Sequence, residues 1–186
     1  MNYLIYKPPN WVVFFIFSIM KKLLFLLLIL SLSIPAQEIS VLKEVDSKRL
    51  KADFVKSNYQ MNIILTHLKN NYKVTADKYD IIQDEEMGNT ECGFTVDFEK
   101  NIKYTFNNCG EASPVRERIV FPPAKIVNLR KWVEQIYAAY PMDIKNIWYP
   151  DKYGVRKYGP ENKEEGCYYT ISQSKVDSII EVWCGS

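Results

Sequence analysis

The sequence has little of the material from which common catalytic sites are built. It contains one histidine and seven glycines among 186 residues, so a histidine-rich zinc site is excluded and no glycine-rich phosphate loop is present. None of its four cysteines belongs to a Cys-x-x-Cys motif, which makes metal ligation a weaker interpretation than disulfide formation. We therefore expect no catalytic residue, no metal and no cofactor.

Three segments that match reactive or metal-binding motifs have simpler interpretations. His67 lies in a helical pattern without a recognisable orienting acid or nucleophile, so we expect a surface or boundary histidine. Ser172–Lys175 (SQSK) matches the Ser-x-x-Lys motif of acylating enzymes, but it falls at a predicted hairpin tip instead of at a helix start. The acidic turn at residues 84–89 could hold Ca²⁺, but it lacks EF-hand spacing, so we expect a solvated loop.

The N-terminus has the pattern of a secretory signal peptide. Two lysines follow Met20, an apolar run extends from Leu23 to Leu30, and small residues lead to a predicted cleavage site after Ala36. We expect translation to start at Met20. The alternative is one long membrane anchor within residues 1–36, but the two lysines divide it into pieces shorter than the roughly 20 residues of a spanning helix. The predicted product is exported, to the periplasm or the extracellular space.

The basic excess of the chain belongs to this leader. Residues 1–36 contain three of the 24 basic residues and none of the 22 acidic ones, so the exported chain 37–186 has 24 − 3 = 21 basic side chains against 22. Its net charge falls from +2 to −1. We expect no nucleic-acid partner, and membrane contact only through an uncleaved leader. A chain of this size suits a single compact domain.

All four cysteines lie in the exported part, seventeen residues apart within each of two pairs: Cys92 and Cys109, and Cys167 and Cys184. Exported cysteines form disulfides by default, and four allow three connectivities. In the second hairpin the alternation of apolar and polar residues favours the local pairing, because the register that places Cys167 opposite Cys184 also places Tyr169 opposite Val182. In the first hairpin the apolar residues of the second strand alternate out of step with Cys109. One inserted residue would bring them onto the same face, so we predict a β-bulge at Asn107 and Asn108.

Hydrophobic periodicity predicts an α+β fold. In chain order the predicted elements are a long amphipathic helix over 45–72 with Asp46 or Ser47 as N-cap, a strand over 78–84, the first hairpin, a strand over 115–121, a helix over 124–140, strands over 144–149 and 155–158, and the second hairpin. The plan occurs twice, which predicts two similar halves, 37–111 and 112–186, each a helix packed on an antiparallel sheet ending in a disulfide-stapled β-hairpin.

This doubled plan of helix, sheet and hairpin disulfide resembles that of secreted inhibitor folds such as the cystatins and the tandem-repeat β-lactamase inhibitor proteins. The resemblance covers the plan alone, since no signature residue of either family occurs in the sequence. It implies an inhibitor-like, non-catalytic protein.

Aromatic residues are concentrated late in the chain, and they form the candidate binding surface: Trp148, Tyr153, Tyr158, Tyr168 and Trp183. Tyr and Trp provide large rigid contact areas and recur at recognition surfaces. We expect an exported non-catalytic binding protein that holds a protein, peptide or glycan. The alternatives are a small secreted hydrolase with an unidentified carboxylate pair, or a structural envelope protein.

Overall fold

The computed structural model describes residues 41–75, 78–110, 115–150, 156–162 and 165–185, so the predicted leader, cleavage site and start at Met20 lie outside the described residues. The helices are α1 (Ser47–Lys56), α2 (Ile63–Asn71) and α3 (Ile126–Tyr137), with a 3-10 turn at Glu99–Asn101. The strands are β1 (Asp80–Asp84), β2 (Thr90–Phe98), β3 (Ile102–Asn107), β4 (Val115–Phe121), β5 (Asn146–Tyr149), β6 (Arg156–Pro160), β7 (Gly166–Gln173) and β8 (Ser178–Gly185). No helix in these ranges is long and apolar enough to cross a membrane.

The eight strands form one antiparallel sheet in the order β1-β2-β3-β4-β8-β7-β6-β5. The first four strands and the last four each pair in sequence, and β4 pairs with β8 at the centre. Three helices with this sheet confirm the predicted α+β class. The central β4–β8 contact joins segments about 60 residues apart, which local pattern does not reveal.

The prediction of one long helix over 45–72 is wrong, because the chain turns between α1 and α2. Asn58 and Tyr59 adopt positive φ angles of 55° and 65°, a conformation that ends a helix and that Asn tolerates well. Asn62 then caps the next helix, its Oδ1 accepting the N–H of Leu65 at 2.7 Å. The apolar spacing alone continues across this break, so it conceals the turn.

The helices pack on one face of the sheet, which we call the helix face. Trp132 of α3 contacts Phe121 with ring centroids 5.6 Å apart, and the N–H of Ala124 donates to Ser178 Oγ at 3.0 Å. The side chain of Asn62 donates to the hydroxyl of Tyr104 at 2.8 Å. The strand side chains that point to the helix face form the apolar core together with the helices. The opposite side, which we call the open face, carries the alternate residues of every strand.

Both predicted disulfides are present, with Cα atoms 4.9 Å apart for Cys92–Cys109 and 4.1 Å for Cys167–Cys184. The predicted register of the second hairpin is confirmed, since Tyr169 faces Val182. In the first hairpin regular pairing ends at Gly93 with Asn107. The backbone N–H of Asn108 then donates to the carbonyl of Cys92 at 2.8 Å, so no residue is inserted at Asn107 and Asn108, and the predicted bulge there is wrong. The parity mismatch is instead taken up by the disulfide, which joins Cys92 to the residue that follows Asn108.

Candidate binding surface

Four side chains form a row across the middle of the open face, which we call the central row. They occupy directly paired positions on four neighbouring strands: Asn107 on β3, Arg116 on β4, Trp183 on β8 and Tyr168 on β7. The sequence separates these residues by up to 76 positions. Only the strand order brings them together, and the sheet backbone then fixes their spacing.

Tyr168 and Trp183 stack at the aromatic end of the row. Their ring centroids are 5.5 Å apart and their planes differ by 18°. The ring of Tyr168 lies directly over Gly159 on β6, where a Cβ atom would overlap it. The ammonium of Lys157 lies over both rings, 3.9 Å from the Tyr168 centroid and 4.8 Å from that of Trp183. This arrangement leaves Tyr168 only 8% exposed while Trp183 stays half-buried.

A groove of about 600 Å³ lies beside this stack, along the other half of the row. Its lining residues are Thr105, Asn107, Arg116, Glu117, Arg118, Glu181, Val182 and Trp183. Glu117 and Val182 have helix-face parity, so their backbone forms the floor. The volume lies in the range of small-ligand sites, roughly 300–1,000 Å³. The groove therefore has a backbone floor, an aromatic wall at Trp183, a polar wall at Thr105 and Asn107, and the side chains of Arg116 and Arg118 along it.

Two of the four cations on this part of the open face are paired with carboxylates, and two are not. Arg118 contacts Glu181 at 3.1 Å and Lys103 contacts Asp97 at 3.2 Å. Within the described ranges, Arg116 and Lys157 have no carboxylate within ion-pair distance. Arg116 is exposed beside Trp183. Among the described residues, the open face thus presents two positive charges without carboxylate partners, Arg116 beside Trp183 and Lys157 over the aromatic stack.

Trp148 and Tyr158, also predicted for the binding surface, lie on the helix face. Trp148 donates its indole N–H to Glu134 Oε1 at 2.7 Å, and the guanidinium of Arg130 lies 4.7 Å from its ring. Tyr158 packs edge-on against Tyr137 at 5.7 Å, and burial raises the pKa of its hydroxyl to about 12. Tyr153 lies outside the described residues. The candidate surface is therefore narrowed to Tyr168 and Trp183, with Arg116, Lys157 and Asn107 added by the strand order.

His67 is a core residue, which corrects the expectation of a surface or boundary histidine. It is 2% exposed between α2 and α3, and its Nε2 accepts the indole N–H of Trp132 at 3.3 Å. Burial lowers the pKa of the imidazole to about 4. A neutral imidazole with its acceptor engaged by a tryptophan is a structural group, and it lies far from the open face.

The buried carboxyl group of Glu117 is the feature that the sequence analysis missed. Its Oε2 accepts the hydroxyl of Tyr104 at 2.7 Å and the amide of Asn62 at 3.3 Å, and the residue is 7% exposed. Burial raises the pKa of this carboxyl. Glu117 is two residues from Ile119 and four from Phe121 along β4, so the period-two pattern of the sequence could have placed it on the helix face with them. It is enclosed by helices and lies on the opposite side of the sheet from the groove.

The remaining motif-like segments are turns. Asp84 accepts the backbone N–H groups of Glu86 and Met87 within the acidic turn, and the described residues include no group of three metal-ligating side chains. Ser172 lies on β7, and Lys175 lies in the turn to β8, so the Ser-x-x-Lys segment is at a hairpin tip as predicted. Neither segment adjoins the central row.

Comparison with models of known protein families, with curated proteins and with solved structures gives no match. The arrangement of residues on the open face is therefore the basis for the functional argument.

Proposed function

We propose that this chain is an exported, non-catalytic binding protein that holds its partner on the open face of its sheet. The observation that carries the proposal is the central row, in which stacked Tyr168 and Trp183 lie beside Arg116, a cation with no carboxylate partner within the described ranges. Tyr, Trp and Arg are the residues most enriched where binding energy concentrates. Arg116 is exposed and Trp183 is half-buried on this face, whereas the buried ring of Tyr168 supports Trp183 from the neighbouring strand.

The position of the row also favours recognition. It crosses the four central strands, so the backbone on both sides of it is hydrogen-bonded into the sheet. A surface held in this way loses little conformational freedom when a partner binds, and this preorganisation favours affinity. Inhibitor-like capture of a protein, peptide or glycan is consistent with such a platform.

We further propose that the chain arose by duplication and that residues 1–36 direct its export. The two cysteine pairs are offset by 167 − 92 = 75 residues. Shifting β1 by that offset gives 155–159, close to β6, and shifting β2 gives 165–173, close to β7. Two disulfides of this kind are typical of proteins that fold in an oxidising compartment. The first half has two helices where the second has one, so a duplication would require a later change in the helical segment.

Substitution of Trp183 tests the binding proposal. The purified protein is immobilised, partners are captured from exported and envelope fractions of the producing cell and identified, and their dissociation constants are measured. Trp183→Ala removes the aromatic wall and should weaken a captured partner by about 2 kcal/mol, or roughly 30-fold, as truncation of a central aromatic anchor does. Trp183→Phe should restore most of this loss.

Tyr59→Ala is the matched control, because Tyr59 is an aromatic residue 58% exposed in the turn between α1 and α2, away from the open face. Far-UV circular dichroism checks that each variant is folded. Equal binding by the wild type and Trp183→Ala, both folded, would remove the open face from consideration and return attention to the helix face.

A further inference from the structure

We propose, building on the proposed function, that the partner is an acidic protein that places a side-chain carboxylate in the groove, where Arg116 binds it. The groove would then be a carboxylate subsite within a protein interface. Three features of the open face support this inference: its unbalanced charge, the donors around the groove, and the small aromatic surface left open beside them.

Two of the cations near the central row already have carboxylate partners. The pairs Arg118–Glu181 and Lys103–Asp97 neutralise each other on the surface. Arg116 and Lys157 remain, and together they give this region two positive charges without carboxylate partners among the described residues. Complementary charge on a partner steers association and rejects partners of the wrong sign. An exported chain whose total charge is close to neutral therefore presents a locally basic binding face.

The donors around the groove suit a carboxylate. The guanidinium of Arg116 offers a planar fork of N–H groups that matches the two oxygens of a carboxylate. Asn107, its direct neighbour on β3, uses its Oδ1 to accept the N–H of Cys109 at 2.9 Å, which leaves its amide N–H groups available to donate. Trp183 on the other side supplies an apolar wall that contacts the methylene groups of an Asp or Glu side chain.

A protein is favoured over an acidic glycan because little aromatic surface is open for stacking. Tyr168 is buried under Lys157, so Trp183 alone offers a ring to the groove, and it is itself stacked on Tyr168. Eight strands spaced about 4.8 Å apart give a face about 34 Å wide. A face of this width suits the roughly 800 Å² that each partner buries in a stable protein complex. The closed ion pairs beside the row would form the water-excluding rim of that interface.

A titration followed by NMR tests the subsite without knowledge of the natural partner. The probe is acetylated pentaglutamate amide, its neutral analogue is pentaglutamine, and a short polyuronate represents acidic glycans. The indole N–H signal of Trp183, assigned by comparison with Trp183→Phe, reports occupation of the groove. We expect pentaglutamate to shift this signal with saturation, and Arg116→Gln to weaken binding by about tenfold. Lys48→Gln removes the same charge from exposed α1 and should change binding by less than about twofold.

The outcomes separate this inference from the proposed function. Equal shifts with pentaglutamine, no shift with pentaglutamate, or unchanged affinity of folded Arg116→Gln would overturn the carboxylate subsite. Tighter binding of the polyuronate than of pentaglutamate would overturn the choice of a protein partner in favour of an acidic glycan. If Trp183→Ala weakens a captured partner but Arg116→Gln does not, the open face remains the binding site and only the carboxylate inference fails.

Discussion

Acid should destabilise this protein through its single histidine as the pH falls below about 6.5. His67 is buried, and its pKa falls from 6.5 to about 4 on folding. A group whose pKa is lowered in the folded state stays neutral there while the unfolded chain takes up a proton. The stability it confers is therefore complete above pH 6.5 and is lost as the pH falls toward 4.

The size of this effect follows from the pKa shift. One pKa unit corresponds to 1.36 kcal/mol, and between pH 6.5 and 5 only the unfolded chain is protonated at His67. The free energy of unfolding should therefore fall by about 2 kcal/mol between pH 7.5 and pH 5. For a domain of this size that loss corresponds to a melting temperature lower by roughly 4–8 °C. Protonation of Nε2 would also break its hydrogen bond with Trp132.

Urea unfolding at pH 7.5, 6 and 5, with disulfides intact and followed by circular dichroism, measures the effect. His67→Gln is the informative variant, because an amide oxygen can accept the Trp132 N–H and does not titrate. The chain has no other histidine, so the difference in pH dependence between the two proteins reports His67 alone. Equal losses of stability in the wild type and His67→Gln would refute the reasoning, since the imidazole would then titrate alike in the folded and unfolded chains.

Three further predictions concern the sheet. Glu117 has a raised pKa, so the stability that its protonated form contributes is lost as the pH rises through the folded-state value. Glu117→Gln lacks this loss but keeps the opposite contribution of His67, so its free energy of unfolding should rise more steeply than that of the wild type between pH 5 and 8 in urea melts. Gly159→Ala should lower stability by about 1–3 kcal/mol and change the near-UV circular dichroism, because a Cβ atom there displaces the Tyr168 ring; an unchanged spectrum would contradict this packing. Replacing both cysteines of Cys167–Cys184 by Ala should lower the free energy of unfolding by about 3 kcal/mol, and replacing both cysteines of Cys92–Cys109 should lower it by about the same amount, because both bridges span 17 residues. Chemical denaturation measures both losses. A large difference between them would argue against a mainly entropic effect of the bridges.

Local patterns in the sequence predict the hairpins well. Alternation with period two places Tyr169 and Val182 on the same face as the second disulfide, and the structure confirms that register. A hairpin needs only neighbouring residues and a turn, so its information is contained in one short segment. The strand over 115–121 matches β4 for the same reason.

Information that depends on distant segments is not available from such patterns. The pairing of β4 with β8 brings Arg116 next to Trp183, and no local signal specifies which strands become neighbours. Parity does predict that Arg116 points away from Ile119, but without the strand order it does not indicate a partner for it. For the same reason, aromatic density alone grouped Trp148 with Trp183, although the sheet separates them onto opposite faces.

The positions of the two disulfides give the central row its rigidity. Cys167 and Cys184 each directly adjoin a row aromatic in sequence, Tyr168 and Trp183, and the bridge lies on the helix face. The other bridge adjoins the opposite end of the row, where the side chain of Asn107 accepts the N–H of Cys109. One end of the row is thus fixed by a covalent bridge between β7 and β8, and the other end is tied to the first bridge by this hydrogen bond, with Arg116 held between them by β4. A surface fixed in this way is formed before any partner arrives, so the strand pairs carrying the row lose little freedom on binding.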